Sequence, residues 1–406
     1  MNILSICIPN YNRKKELIRL LYGIINQIRE GNLEKEVSIC ISDDCSSDDP
    51  KQSIDQICRD EIDIDIRFRR NECNQGMDRN FLDSVLMSDS EYCWLIGNDD
   101  LLEEQGILKA VELLKDNKDI DLLVSPFDIY DENNNYISTI WPLADKRPTI
   151  YKTYDSNSRD GLLMKIIHNS GIFGFLSNVI IRRENWIKRK DYYVDKIGSI
   201  FIQMYLNIDT VISGCRYLYT DIKLIRNYPD KETNMTHDRM CRILFGLDDV
   251  TEFFFSGEIK KHFKRILTDA YIVGDLWELP DGTEEKERLK NITSEKNEIY
   301  RKYYIRGCDR KDKIEGTNNI IYGAGEYGRV TFDKVICAGG QVIAFADSSP
   351  EKSGEVINGI TVLSKEDMIM EYEKRNANIL VANHHHLPEM IVYLLSNSIE
   401  RIGIII

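Results

Sequence analysis

Two hydrophobic periods alternate along the first third of the chain. Leu4–Ile8 is a short strand-forming run, and Lys14–Ile28 places Leu17, Leu20, Leu21, Ile24, Ile25 and Ile28 on one helical face. Val37–Ser42 predicts a second strand, and the short polar side chains of Ser46–Asp49 predict the cap of a helix running to about Arg59. Ile62–Arg69 alternates as a third strand. Asn74-Gln75-Gly76 is a turn before a helix over Met77–Met87, and Tyr92–Ile96 is a fourth strand. A helix over Glu103–Lys115 and a strand over Asp121–Ser125 follow. This alternation predicts an α/β fold with a doubly wound, mostly parallel sheet.

From Asp128 the pattern changes. Asn133-Asn134-Asn135 reads as the turn of a hairpin between Phe127–Tyr130 and Tyr136–Ile140. Strands at Ser177–Arg182 and Tyr217–Arg226, with a helix at Ser199–Ile208 between them, complete a half that shapes a second substrate's pocket. Thr236 to about Arg310 has helical spacing and little Gly or Pro, which predicts a helical connector. A second, smaller α/β pattern begins near Thr317. The domains are therefore expected at 1–235, 236–316 and 317–406.

Bulk composition narrows the classes. With 406 residues, 42% hydrophobic and only 9 Pro, the chain is long enough for two or three folded domains. A net charge of −14 argues against bulk nucleic-acid binding, which needs a basic surface. The 10 cysteines show no CxxC spacing, and Cys7, Cys40 and Cys93 lie inside apolar runs, as free thiols do in a reducing compartment. No leader is visible, and no apolar run reaches the roughly 18–20 residues of a membrane span. The expectation is a cytoplasmic protein, with peripheral association at the inner membrane face and homo-oligomerisation left open.

The candidate chemistry lies where strands end. Pro9-Asn10-Tyr11-Asn12-Arg13, Asp43-Asp44 and Asp99-Asp100 each follow an apolar run, at the edge where parallel sheets build nucleotide sites. Carboxylates at 43 and 44 suit a base imide or ribose hydroxyl, or simply cap the next helix. Two adjacent carboxylates at 99 and 100 suit a hard divalent cation that also takes diphosphate oxygens.

Four segments in this order and spacing resemble family 2 glycosyltransferases with the GT-A fold: Ser5–Arg13 (SICIPNYNR), Ser42–Asp49 (SDDCSSDD), Asn74–Asn80 (NQGMDRN) and Trp94–Leu102 (WLIGNDDLL). The likeness covers roughly residues 1–235 and is strongest to the abequosyltransferase-like branch of bacterial surface polysaccharide assembly. It implies a nucleotide-diphosphate sugar as donor, a saccharide or lipid-linked acceptor, Mg²⁺ or Mn²⁺, and inversion by direct displacement. By position, Pro9, Tyr11 and Arg13 would line the nucleoside pocket, and Asp43 or Asp44 would hold the base. Asn74, Gly76 and Asn80 would edge the donor site, and Asp99 and Asp100 would occupy the metal motif. Gly97 departs from the acidic residue that many relatives have, so Asp99 carries most of the metal assignment. The resemblance also implies a base near the start of a later helix: Asp195, with Asp191 and Asp209 as rivals. Gly171–Gly174 would form an acceptor-side loop, and Tyr228–His237 would close over the donor, with His237 as a further ligand.

In the second α/β pattern, Gly323-x-Gly325-x-x-Gly328 follows a strand and opens a helix, and Asp347 ends the next strand where a ribose-binding carboxylate belongs. Phe345–Pro350 and Gly354–Val362 resemble the small Rossmann-like domain that precedes sugar acyltransferases, which implies either nucleotide binding or a structural, oligomerising role. His384-His385-His386 reads as a polar loop, since neighbours on an extended chain point apart. Two other functions compete. A sugar nucleotidyltransferase would need a glycine-rich loop after the first strand, where Pro9–Arg13 has no glycine. A non-catalytic sugar-nucleotide-binding scaffold is prompted by Gly97 and opposed by the intact Asp99 and Asp100.

Overall fold

A computed structural model describes residues 2–131, 133–168, 174–228, 237–270, 310–383 and 387–405, with a few positions between 282 and 305. They divide into two compact units, one of residues 1–236 with 242–266 and one of 237–241 with 267–406.

In the first unit, β1 (Leu4–Asn10) leads into helix α1 (Lys14–Glu30), then β2 (Val37–Asp43), α2 (Lys51–Asp60), β3 (Asp65–Arg70), α3 (Met77–Leu86) and β4 (Tyr92–Leu95). These four strands are parallel, in the order β3-β2-β1-β4. All six apolar residues on the expected face of α1 are buried against the sheet. Each such burial contributes roughly 1.5–3 kcal/mol. Beyond β4 come β5 (Leu101–Leu102), α4 (Gly106–Asp116), β6 (Leu122–Val124), the hairpin β7 (Phe127–Tyr130) and β8 (Tyr136–Ile140), and β9 (Thr149–Lys152). Next are α5 (Ser156–Leu163), β10 (Val179–Arg182), α6 (Arg183–Arg189), α7 (Ile202–Ile212), β11 (Arg216–Tyr219) and β12 (Ile225–Asn227). The large sheet runs β3-β2-β1-β4-β10-β6-β11-β9, with β10 antiparallel to both neighbours, and a small sheet runs β5-β12-β7-β8. Helices α8 (His237–Phe254) and α9 (Gly257–Ala270) follow.

Two local expectations change. The single strand expected over Tyr217–Arg226 is two strands in different sheets, because Thr220 Oγ1 accepts from the Ile222 amide and turns the chain between them. The polar run Ser46–Asp49 does little capping of α2, where only Asp49 reaches an amide, that of Lys51, at 3.2 Å. Asp48 instead accepts from the Lys14 amide at 2.7 Å and so holds the start of α1, where a carboxylate favours the helix dipole.

In the second unit, strands β13 (Asn318–Tyr322), β14 (Gln341–Asp347), β15 (Val356–Ile357), β16 (Ile360–Ser364), β17 (Asn378–Val381) and β18 (Ile402–Ile404) order as β15-β16-β14-β13-β17-β18. All pairs except β15–β16 are parallel. The three glycines after β13 differ in what they permit. Gly323 has φ +118°, and a Cβ there would meet Ala382 O at 2.5 Å; a Cβ on Gly328 would lie 2.1 Å from Gly323 O. A Cβ on Gly325 would meet nothing within 4 Å. Gly328→Ala is therefore expected to destabilise the second unit by at least about 1–3 kcal/mol in urea unfolding. Gly325→Ala should change it by less than about 0.5 kcal/mol. Equal effects of the two substitutions would refute this division of roles.

Candidate active site

Parallel register sets Asn10 of β1 beside Asp43 of β2, and both side chains are buried. A buried carboxylate must be met by donors. Asn10 Nδ2 donates to Asp43 Oδ1 at 2.7 Å and to Ser46 Oγ at 3.2 Å. Ser46 donates to Asp43 through both its amide (3.1 Å) and its hydroxyl (2.5 Å), and Arg70 Nε lies 3.6 Å from Asp43 Oδ2. The other end of the same amide reaches the fourth strand: Asn10 Oδ1 accepts from Asn98 Nδ2 at 2.7 Å. Asn10 O accepts from the Asp44 amide and from Asn80 Nδ2, at 2.9 and 3.2 Å. One residue thus joins the ends of β1, β2 and β4 and the first turn of α3.

Asp44 turns the other way. Its Oδ1 accepts from Asn71 Nδ2 and the Gln75 amide, and its Oδ2 from the Gly76 amide, each at 2.9 Å. Gly76 has φ +89°, a backbone conformation open to glycine, and Asn74 Oδ1 accepts from its amide at 2.9 Å. The 71–76 loop is folded around one carboxylate.

The two carboxylates of the metal motif stand in different surroundings. Asp99 is part-exposed, and its Oδ2 pairs with Arg13 Nη1 at 2.5 Å. Asp100 is buried. Ser177 Oγ donates to its Oδ2 at 2.5 Å and Asn227 Nδ2 to its Oδ1 at 2.8 Å. Burial, and then the charge of Asp99, push the Asp100 carboxyl up to about 7. A Cβ at Gly97 would come within 2.9 Å of Asp99 Oδ1 and 3.2 Å of Asp100 Oδ2, so the absence of a side chain there leaves both carboxylates their positions. No group of three or more His, Cys, Asp or Glu that could hold a metal gathers among the described residues. The donor set fits a cation held jointly by Asp99 and the phosphates of a substrate, as Mg²⁺ commonly is.

Pro9, Tyr11, Arg13, Asp43, Asp44, Asn74, Gly76, Asp99 and Asp100 lie at the carboxyl ends of β1, β2 and β4 or on the loops that follow, and Asn80 lies in the first turn of α3. Tyr11 is 47% exposed, a free ring at the rim. Asp195 is in a short 3₁₀ turn, Val194–Lys196, exposed and paired with Lys196 Nζ at 2.9 Å. Its loop is fixed by Asp78 of α3, whose carboxylate accepts from the amides of Gly198 (2.7 Å), Ile200 (2.9 Å) and Ile202 (3.3 Å). Asp191 pairs with Lys190, and Asp209 with Arg189 at 3.0 Å. Sequence reasoning missed the positioning roles of Asp78, Asn98, Ser177 and Asn227. Asp78 and Asn98 lie inside the quoted motifs, but Ser177 and Asn227 reach Asp100 from β10's lead-in and β12, with no local pattern to mark them. Residues 171–173, 229–236 and 384–386, and the side chain of His237, lie outside the described residues.

In the second unit a cleft of about 750 Å³ opens at the carboxyl ends of β13, β14 and β17, lined by Gly323, Gly325, Asp347, Lys352 and Lys365 among others. Asp347 accepts from the Ala324 amide (2.9 Å), the Ser349 amide (3.0 Å) and Lys352 Nζ (3.0 Å). Burial raises its carboxyl, but these donors together outweigh it and leave the group below its usual range. Gly323 and Gly328 serve backbone packing, while Gly325 leaves the helix start open to the cleft.

Replacing Asn10 by Leu strips one donor from Asp43 and an acceptor from Asn98. Asn10→Leu is expected to cost at least about 2 kcal/mol in denaturant unfolding. Ser47→Ala, at an exposed partner of Asn12, should cost within about 0.5 kcal/mol. Similar costs for both would remove Asn10 from its bridging role.

Residues 5–182 match the profile of glycosyl transferase family 2, and residues 318–382 match that of the PglD N-terminal domain. The abequosyltransferase RfbV of Salmonella typhimurium is 30% identical over 274 residues, which cover 65% of this chain and 80% of that protein. An uncharacterized glycosyltransferase of Haemophilus influenzae is 24% identical over 162 residues, 40% of this chain and 51% of that protein. Among solved structures, S. aureus TarS aligns with a TM-score of 0.48 at 14% identity, over 72% of this chain and 48% of that one. The chain belongs to glycosyl transferase family 2 and is a glycosyltransferase with the α/β GT-A fold.

Proposed function

We propose that the first unit moves a sugar from a nucleotide-diphosphate donor to a saccharide or lipid-linked acceptor, with inversion, in bacterial surface polysaccharide synthesis. The observation that carries this is the division of labour at the strand ends, where Asn10, Asp43 and Asp44 build a rigid wall and Asp99 faces outward beside Arg13. The similarity to an abequosyltransferase supports sugar transfer of this kind.

In this reading the nucleoside lies against Pro9 and Tyr11, with Asp43 or Asp44 reading the base and Asn74, Gly76 and Asn80 closing the edge. Arg13 exchanges its ion pair for diphosphate oxygens. Asp99, in the motif it shares with Asp100, would hold Mg²⁺ or Mn²⁺, which when bound would supply positive charge to offset that of the departing diphosphate. The acceptor oxygen forms its bond to the anomeric carbon as the bond to the diphosphate oxygen breaks. Asp195 takes the acceptor proton, and Asp78 positions the loop that carries it. The cleft of the second unit, with Gly323, Gly325, Gly328 and Asp347, is read as a nucleotide site. The match to the PglD N-terminal domain and the open helix start at Gly325 support that reading.

A panel of UDP-, GDP- and dTDP-sugars assayed with and without Mn²⁺ tests the first reading. Asp99→Ala is expected to lower metal-dependent turnover at least about 100-fold. Full metal-dependent turnover in that variant would remove Asp99 from the cation site. Calorimetry gives a second check, because one exposed carboxylate is a poor cage by itself. Mn²⁺ should bind weakly to the protein alone and at least tenfold more tightly, by roughly 1.4 kcal/mol, once the matching nucleoside diphosphate is present. Tight binding without nucleotide would point to a different ligand set.

A further inference from the structure

Two arginines at one end of α1 meet on the same residue of the metal motif. Arg13, just before the helix, pairs through Nη1 with Asp99 Oδ2 at 2.5 Å. Arg19, in the second turn of the helix, reaches the main chain of that residue: its Nη2 donates to Asp99 O at 3.2 Å. Helical side chains lean toward the amino terminus, and that end of α1 follows β1 at the edge where the candidate site lies. Arg19 thus carries its charge back toward Arg13 and the motif.

The two contacts differ in charge. Arg13 meets a carboxylate, whereas Arg19 is exposed, bonds to a neutral carbonyl, and pairs with no carboxylate among the described residues. Asp100 does not serve it, being buried with its oxygens met by Ser177 and Asn227. Nor does bracing the segment after β4 require a charge. Two turns farther along the same helix a neutral amide does so: Gln27 Nε2 donates to Glu103 O at 2.8 Å, and Gln27 Oε1 accepts from the Ile107 amide at 3.0 Å. The guanidinium at position 19 supplies more than a brace needs.

The chemistry that matches such a guanidinium beside a cation motif is a phosphate, whose oxygens take its N–H fork two at a time. Asp99 is a single outward carboxylate, so a cation there is held weakly and the charge of a diphosphate has to be met by other positive groups as well. With the nucleoside against Pro9 and Tyr11, the phosphate that reaches the loop after β4 is the one farther from the nucleoside. We propose that Arg19 holds this sugar-bearing β-phosphate of the donor, as a second guanidinium beside Arg13. This rests on the glycosyl-transfer reading above and adds a residue that positions the leaving group.

The test is calorimetric titration of the full chain in EDTA, so that no metal contributes, with UDP, GDP and dTDP and with the matching monophosphates. The wild type should bind one diphosphate more tightly than its monophosphate. Arg19→Gln keeps an N–H for the Asp99 carbonyl and loses the charge. It should weaken that diphosphate roughly fivefold or more and leave the monophosphate within about twofold. Arg19→Lys, a charge without the fork, should fall between the two proteins. A wild-type diphosphate preference kept in Arg19→Gln would show a brace alone and overturn the proposal. Equal weakening of both nucleotides, the mark of a disturbed pocket, overturns it as well. So does a loss confined to geranyl diphosphate, titrated alongside, which assigns the charge to a lipid-linked acceptor. A wild type that binds nucleotides with no diphosphate preference also overturns it, and leaves the donor reading standing. A wild type that binds no nucleotide at all removes the donor reading itself, so the two failures are distinguishable.

Discussion

Asn10 ends β1 with its side chain out of reach of water, so each of its hydrogen-bonding groups has to be met from within the protein. It meets them on both sides at once: Asp43 and Ser46 from β2 and its loop, Asn98 from the loop after β4. In a low-dielectric setting, leaving any of these groups unpaired is costly, so the strand ends have little freedom to slide past one another. Everything placed on the donor side inherits that fixed spacing. The Asp44 carboxylate folds the 71–76 loop, Asp48 anchors the start of α1, and Asp99 projects from the next loop beside Arg13.

The same edge separates two neighbouring carboxylates electrically. Asp99 and Asp100 would repel one another if both faced the same solvent. Instead Asp99 is part-exposed with a guanidinium at hand, while Asp100 is buried among neutral donors from Ser177 and Asn227. Asp100 thereby links the strand that precedes it to β10's lead-in and to β12. Gly97 belongs to this arrangement, since a side chain there would press on both carboxylates. Its departure from an acidic residue leaves one outward carboxylate, Asp99, in that motif.

Much of this was legible in the sequence, for physical reasons. Hydrophobic period located β1, β2, β4 and the buried face of α1, because one-sided burial forces a repeat, and the Asn133-Asn134-Asn135 turn located the hairpin. The carboxylates at 43, 44, 99 and 100 stood out because they end apolar runs. What was not legible came from contacts between distant segments. Ser177 and Asn227 look like ordinary loop and strand residues until folding brings them to Asp100, and Asp78 looks like a first-turn helix acid until it meets the Gly198–Ile202 amides. Asp48 lies nearer to α2 in sequence, but the fold brings it to the start of α1. In β9 burial alternates, but its two apolar residues, Ile150 and Tyr151, are adjacent, so Thr149–Lys152 shows no apolar–polar alternation in the sequence.

The central claim is that the strand ends joined by Asn10 form one nucleotide pocket. Amide hydrogen exchange on the full chain, with and without a saturating nucleoside diphosphate and Mn²⁺, tests it most directly. The account predicts added protection in residues 9–13, 44–49, 71–80 and 97–100 of the first unit, with the outer strand β9 unchanged. Protection confined to other parts of that unit, with those four segments exchanging as before, would contradict it.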